Sequence, residues 1–283
     1  MSFISVKQIH MNCGWEIKVF PQTHLSKEKT ETLVLEAFKE VKRIEDLLSH
    51  FKDSPFNNIN KFAGIKPVRV CEEIWKLLDD AIEFSNDTHG SFNLAYPSKE
   101  EALRDHKLIR RDFDTREVYL PHRDMRISLG GLGKGYAVDM AYKYLLSQGV
   151  INFLVNGSGD LRCHSHERAP RPWNLAITNP FNPELTIGLL KLKNNAMATS
   201  GTYKKGQHIK TQEINRPISA TIVADSTKVA DMWGTYLCSL TCTEAVKKMN
   251  SSGLIGIIID SSGNCFSSTK SLDAQKQYKD SYV

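Results

Sequence analysis

The segment Leu129-Gly130-Gly131-Leu132-Gly133-Lys134-Gly135-Tyr136-Ala137-Val138-Asp139 constrains this chain more than any other. Its glycines separate an apolar run, Met125–Leu129, from a helical periodicity that starts near Lys134. Glycine permits a tight turn and a close approach of the backbone to a neighbour. Free N–H groups and the positive dipole end at a helix start favour an anion such as a diphosphate. Two familiar anion motifs fail in detail. A dinucleotide fingerprint needs glycine at position 136, which is Tyr136, and a phosphate loop needs Ser or Thr after the lysine, where this chain has Gly135. A plain flexible turn and an anion-binding turn therefore both remain open. A second turn, Asn156-Gly157-Ser158-Gly159-Asp160, follows another apolar strand and tilts the balance towards a phosphate-bearing ligand.

Around these turns the pattern is mixed. Leu33, Ala37, Val41, Ile44, Leu48 and Phe51 recur at helical spacing and predict a helix over Lys27–Phe51, followed by a polar loop, Asp53–Asn60. Ile74, Leu77, Leu78, Ala81 and Ile82 mark a second helix ending near Gly90, and Lys134–Gln148 and Thr227–Leu240 read as two more. Strands are expected at Trp15–Phe20, Asn152–Val155, Asn174–Thr178, Thr186–Leu192, Thr221–Ala224 and Leu254–Ile259, and as a hairpin from Val118–Leu120 and Met125–Leu129. This order lacks strict βα alternation and argues for an α+β fold, a single domain over residues 1–283.

Composition sets the outer limits. The 283 residues are 41% hydrophobic and 24% charged, the balance of a soluble globular chain. The longest apolar stretch, around Gly253–Ile259, is far below the roughly 18 residues of a transmembrane helix. The net charge of +5 is spread along the chain, so no clustered nucleic-acid footprint exists. Met1–Phe20 shows no basic segment followed by an apolar one, which predicts a cytoplasmic protein, or a periplasmic or membrane-anchored one if a signal was removed. The six cysteines include no CxxC pair. Cys238 and Cys242, four apart on an expected helix, suit small buried residues better than metal ligands.

One further spacing carries chemistry. Asp231 and Thr235 lie four residues apart on an expected helix, hence on one face. A carboxylate and a hydroxyl one turn apart suit a hard cation, with Mg²⁺ first because it commonly shares its shell with phosphates. Alone, the spacing equally describes a solvated helix face; the glycine turns raise the metal reading.

Six segments, taken in order, resemble the FAD:protein FMN transferases, the ApbE-type flavin transferases, most strongly over residues 11–240. Asp53-Ser54-Pro55-Phe56-Asn57-Asn58-Ile59-Asn60 is similar to the family's D-S-x-L-S-x-L-N, and Ser91-Phe92-Asn93 falls at G-x-F-D-P. Leu129–Asp139 resembles L-G-G-[IL]-[AG]-K-G-Y-A-x-D, and Val155–Asp160 resembles N-x-G-G-D. Ala198-Thr199-Ser200-Gly201-Thr202-Tyr203 matches A-T-S-G-x-Y with His208-Ile209 beyond it, and Ala230–Thr235 matches A-D-x-x-x-T.

The resemblance implies a duplicated, T-fold-like α+β core. It implies transfer of FMN from FAD, with Mg²⁺, onto a Thr or Ser hydroxyl of an acceptor flavoprotein, releasing AMP. By matched position Asp231, Thr235 and the Gly133 carbonyl would hold the metal. Ser54, Asn60, Gly133, Lys134, Asn156, Gly159, Asp160, Ser200 and Gly201 would bind FAD, and His208 and Lys134 would be catalytic. FAD hydrolysis to FMN and AMP, and non-catalytic FAD binding for storage or assembly, are the alternatives. The chain departs from the family's pattern at Asn93, at the short Leu94–Leu129 region, and after His208, where the usual Asp-Pro is missing.

Overall fold

The structure, a computed structural model, describes residues 3–182, 184–201 and 215–270. Its residues group into two compact units: one formed by the chain up to Phe38 together with the chain from Lys134 onward, the other by Lys39–Gly133.

The chain starts in the first unit with an antiparallel hairpin, β1 (Ile4–His10) and β2 (Cys13–Val19). Met11 and Asn12 close it, both at positive φ, the two-residue turn whose twist matches that of the strands. Helix α1 (Lys27–Leu48) follows and ends three residues before the expected Phe51. The second unit then contains α2 (Asn57–Lys61), β3 (Val68–Arg69), α3 (Glu72–Asp87), β4 (Arg110–Asp112) and β5 (Glu117–Tyr119). Its three strands form an antiparallel sheet in the order β3-β5-β4. Ile74, Leu77, Leu78 and Ala81 of α3, Phe56, Ile59, Val118 and Ile127 are all buried there. Helix α2 breaks into the stretch expected to be loop, because the Ser54 hydroxyl accepts from Asn57 N–H at 2.9 Å and so starts a helical turn.

The expected strand at Met125–Leu129 is absent. Its backbone is instead paired by side chains. The Asn60 amide accepts from Ile127 N–H at 2.8 Å and donates to Ile127 C=O at 2.9 Å. The Ser98 hydroxyl serves Arg126 in the same way, at 3.0 and 3.1 Å. Apolar alternation is present, but the partner is not a strand, so no ladder forms.

Back in the first unit come α4 (Gly133–Ser147), β6 (Phe153–Gly157), β7 (Asp160–His164), β8 (Trp173–Thr178), β9 (Thr186–Leu192) and β10 (Ala196–Gly201). They are followed by β11 (Pro217–Ala224), α5 (Thr227–Leu237), α6 (Cys242–Ser251), β12 (Ile255–Asp260) and β13 (Cys265–Ser267). Among the described residues, eight strands form an antiparallel sheet in the order β1-β2-β6-β7-β10-β11-β12-β13. Ala198, Ala220, Ile222 and Ile258 on one face pack with Ala230 and Leu237 of α5 and with Ala245 and Met249 of α6. Leu154, Leu161, Met197 and Val223 on the other face pack with Trp173, Leu175 and Leu192 of the β8–β9 hairpin. Adjacent strand residues point to opposite faces, so this sheet buries both.

Cys238 and Cys242 do not share a helix. Cys238 ends α5, and Thr241 starts α6 with a capping box to Glu244, so the chain turns between them. All six cysteines are free thiols.

Candidate functional site

The helix-starting lysine of the glycine segment is where the charges converge. Lys134, in the first turn of α4, pairs through its ammonium with the Asp160 carboxylate at the start of β7. Burial works against the charged ammonium, but the carboxylates of Asp160 and Asp231 outweigh it and hold Lys134 above the ordinary lysine range. Asp160 is 1% exposed, and its other oxygen accepts from Thr199 N–H of β10 at 3.3 Å. Asp231, on α5 and 4% exposed, accepts from Gly135 N–H at 3.2 Å. One turn on, the Thr235 hydroxyl lies 3.4 Å from the Ser200 hydroxyl of β10.

Two glycines make this approach possible. A Cβ on Gly135 would run into the backbone of Thr227 and Lys228, so only glycine lets α4 meet the start of α5. A Cβ on Gly234 would lie 2.9 Å from the Ser200 hydroxyl, so α5 rests directly on β10 beside Thr235.

Of the residues singled out from the sequence, the structure brings Lys134, Asp160 and Asp231 together, and Ser200 with Thr235. Gly201 ends β10 opposite Ser219. Gly133 opens α4, its N–H donating to Leu129 C=O at 2.8 Å. The second glycine turn is the tight bend of the β6–β7 hairpin, with Ser158 and Gly159 at positive φ. Asn156 braces it, accepting from Gly159 N–H at 2.9 Å. Asn156 pairs with Glu16 and Leu161, whereas Asp160 pairs with Gly157, so the two side chains belong to opposite faces of the sheet. Ser54 and Asn60 lie in the second unit with their polar atoms engaged, Ser54 donating to Ser49 C=O at 2.6 Å and Asn60 holding Ile127. His208 lies outside the described residues.

Reading the sequence left Asp139 without a role, although it closes the glycine motif. Its carboxylate accepts from Thr227 N–H at 3.0 Å, Lys228 N–H at 2.9 Å and Arg162 Nη1 at 2.8 Å. Arg162 itself carried no signal, being 23 residues from its partner in no recognisable spacing.

The donors at α5 and β10 are all oxygens, the set a hard cation takes and a soft one avoids. Among the described residues no three His, Cys, Asp or Glu side chains gather to bind a metal. Asp231 on α5, with the neighbouring Thr235 and Ser200 hydroxyls, offers oxygen donors of the kind such a cation takes. A buried carboxylate also requires a compensating charge, and Lys134 supplies it.

Comparisons with known proteins agree with this reading of the motifs. An FAD:protein FMN transferase of Vibrio cholerae is 24% identical over 256 residues, spanning 77% of this chain and 75% of its own length. One of Escherichia coli K12 is 22% identical over 262 residues, spanning 78% and 75%. The fold matches the crystal structure of the ApbE protein of Thermotoga maritima with a TM-score of 0.82 at 21% identity, covering 95% of this chain and 98% of the other. It matches the flavin transferase ApbE of Vibrio cholerae with a TM-score of 0.80 at 18% identity, covering 95% and 97%. These likenesses bear out the α+β fold. The ApbE family profile matches residues 11–258, from the turn of the first hairpin through both glycine turns and α5 into β12, and the chain belongs to the ApbE family.

Proposed function

We propose that this protein transfers the FMN moiety of FAD to a Thr or Ser hydroxyl of an acceptor flavoprotein and releases AMP, with Mg²⁺ held by Asp231 and Thr235. Membership of a family whose curated relatives are named FAD:protein FMN transferases supports flavin transfer as the class of reaction. The observation that carries the site is the convergence of Lys134, Asp160 and Asp231 beside the Ser200–Thr235 pair.

In the reaction the acceptor oxygen bonds to the FMN phosphorus while the bond from that phosphorus to the bridging oxygen breaks. The bridging oxygen leaves on AMP, and the acceptor's proton passes to a base. Phosphoryl-type transfer of this kind depends on positioning and on neutralising phosphate charge. Lys134 stays protonated at neutral pH, so its ammonium is available to the diphosphate. A bound Mg²⁺ would add positive charge at the leaving phosphate. Asp160 holds Lys134, and the glycine contacts keep α4, α5 and β10 close enough for these groups to act on one ligand. His208 is our candidate base, since an imidazole with an ordinary pKa of about 6.5 accepts a proton near neutrality.

The test is incubation with FAD and MgCl₂, with and without a candidate acceptor flavoprotein, followed by AMP quantitation. AMP formed only with acceptor is the expected result. AMP without acceptor identifies an FAD hydrolase, and bound flavin with no AMP identifies a binding or assembly protein. Asp231→Ala should lower AMP formation by about 100-fold or more, because the metal loses its charged ligand. Full activity in that variant would sink the metal assignment.

A further inference from the structure

We propose that Asp139 is a positioning residue for the cation site, acting through the start of α5 to fix Asp231 and Thr235; this rests on the metal reading above. The two helices exchange carboxylates. Asp139 of α4 accepts from Thr227 N–H and Lys228 N–H in the first turn of α5. Asp231 of α5 accepts from Gly135 N–H in the first turn of α4. On each helix the donor and the carboxylate are one turn apart, so two contacts about 5.4 Å apart lock the pair in register.

This goes beyond an ordinary helix cap. Helix α5 already has a capping side chain, since Ser226 Oγ accepts from Val229 N–H. A carboxylate only 3% exposed is costly unless its charge is met, and Arg162 meets it while lying 4.2 Å above the Tyr142 ring. Arg162 belongs to β7, the strand that also begins with Asp160. The Asp139–Arg162 pair thus ties α4, α5 and β7 together, the three elements that carry Lys134, Asp231 and Asp160. The pair reaches α5 through Thr227 N–H and Lys228 N–H, so its effect on the metal is indirect.

The test reads metal binding directly, with no FAD and no acceptor present. Mn²⁺ is titrated into the protein and the free ion is followed by its electron paramagnetic resonance signal. Asp139→Asn keeps the size of the side chain but cannot answer three donors or balance Arg162. It should weaken Mn²⁺ binding about tenfold, the usual size of effect for a group that orients a metal ligand. Leu192→Ala, in the apolar cluster on the opposite face of the sheet, should lower the melting temperature without changing Mn²⁺ affinity. Asp139→Asn binding Mn²⁺ within twofold of the parent, or Leu192→Ala weakening it equally, would overturn the proposal. If Asp139→Asn does not fold, Arg162→Met is read in the same way, with unchanged affinity overturning the proposal. A parent protein that binds no Mn²⁺ overturns this proposal and the metal reading together. Normal Mn²⁺ binding by the parent and by Asp139→Asn removes this proposal alone.

Discussion

Asn60 shows how one side chain can do the work of a strand. Its amide is buried and satisfies both backbone groups of Ile127, 67 residues away, in the segment that leads into the glycine turn. Removing it leaves a buried N–H and a buried C=O without partners, each costing about 1–3 kcal/mol. Asn60→Ala should therefore destabilise the protein by about 2–5 kcal/mol in urea denaturation. Asn60→Asp keeps the acceptor for Ile127 N–H and should fall between the two. A loss below about 1 kcal/mol in the alanine variant would show that water or a neighbouring group takes over both bonds. The family motif flagged this asparagine, but nothing in its immediate sequence said that its partner would be backbone. Lys134 and Asp160 were likewise legible as residues and illegible as a pair, since they lie 26 residues apart and meet only when β7 folds against α4.

Among the elements, those bounded by glycine or given a full apolar stripe were readable, and those defined by a distant partner were not. Helix α4 starts and ends within a residue of its expected limits because Gly133 and Gly149 frame its apolar positions. Strand β9 falls on its expected bounds. Strands β7 and β10 went unread: β7 is a five-residue alternation with only two apolar residues, Leu161 and Cys163, and β10 is the weakly apolar Ala-Met-Ala-Thr-Ser-Gly. Met125–Leu129 had the pattern of a strand and lacked a strand to pair with. The α4–α5 contact is the element-level feature that matters most for the site, and Gly135 is its test. An alanine there places Cβ 2.7 Å from the Thr227 carbonyl carbon and 2.8 Å from Lys228 N, backbone atoms that cannot swing aside. Gly135→Ala should cost about 1–3 kcal/mol, as overpacking does, and should lower AMP formation by more than that stability loss explains. Gly14→Ala is the control, because nothing lies within 4 Å of its added Cβ. Equal activity in the two variants would show that the helix approach is irrelevant to the site.

The two compact units share one electrostatic property, a histidine whose surroundings oppose its charge. In the Lys39–Gly133 unit His106 is 4% exposed, its Nε2 bonded to Asn86 Oδ1 at 2.8 Å. Burial lowers its pKa from the ordinary value; Asp105, 3.9 Å away, opposes the shift and Lys107 reinforces it. In the other unit His164 lies against Phe153 and Tyr142, and burial followed by His166 lowers its pKa as well. Both groups have folded pKa values below the unfolded value of about 6.5. Above that pH neither state binds the proton and the stability is complete. As pH falls from about 6.5 towards the folded pKa, the unfolded chain takes up the proton first and stability is lost. Carboxylates whose pKa is lowered in the fold, such as Glu16 and Asp260, act in the opposite part of the scale, below about 4.5. The window from pH 6.5 down to 5 therefore belongs to the histidines. Melting temperature measured across it should fall with acidity, and His106→Gln, which can still donate to Asn86, should flatten that slope. His164→Gln should flatten it independently, because the residues lie in separate units and share no partner. A doubly substituted protein that still loses stability at the parental rate between pH 6.5 and 5 would show that burial of these two rings does not set the acid limit of the fold.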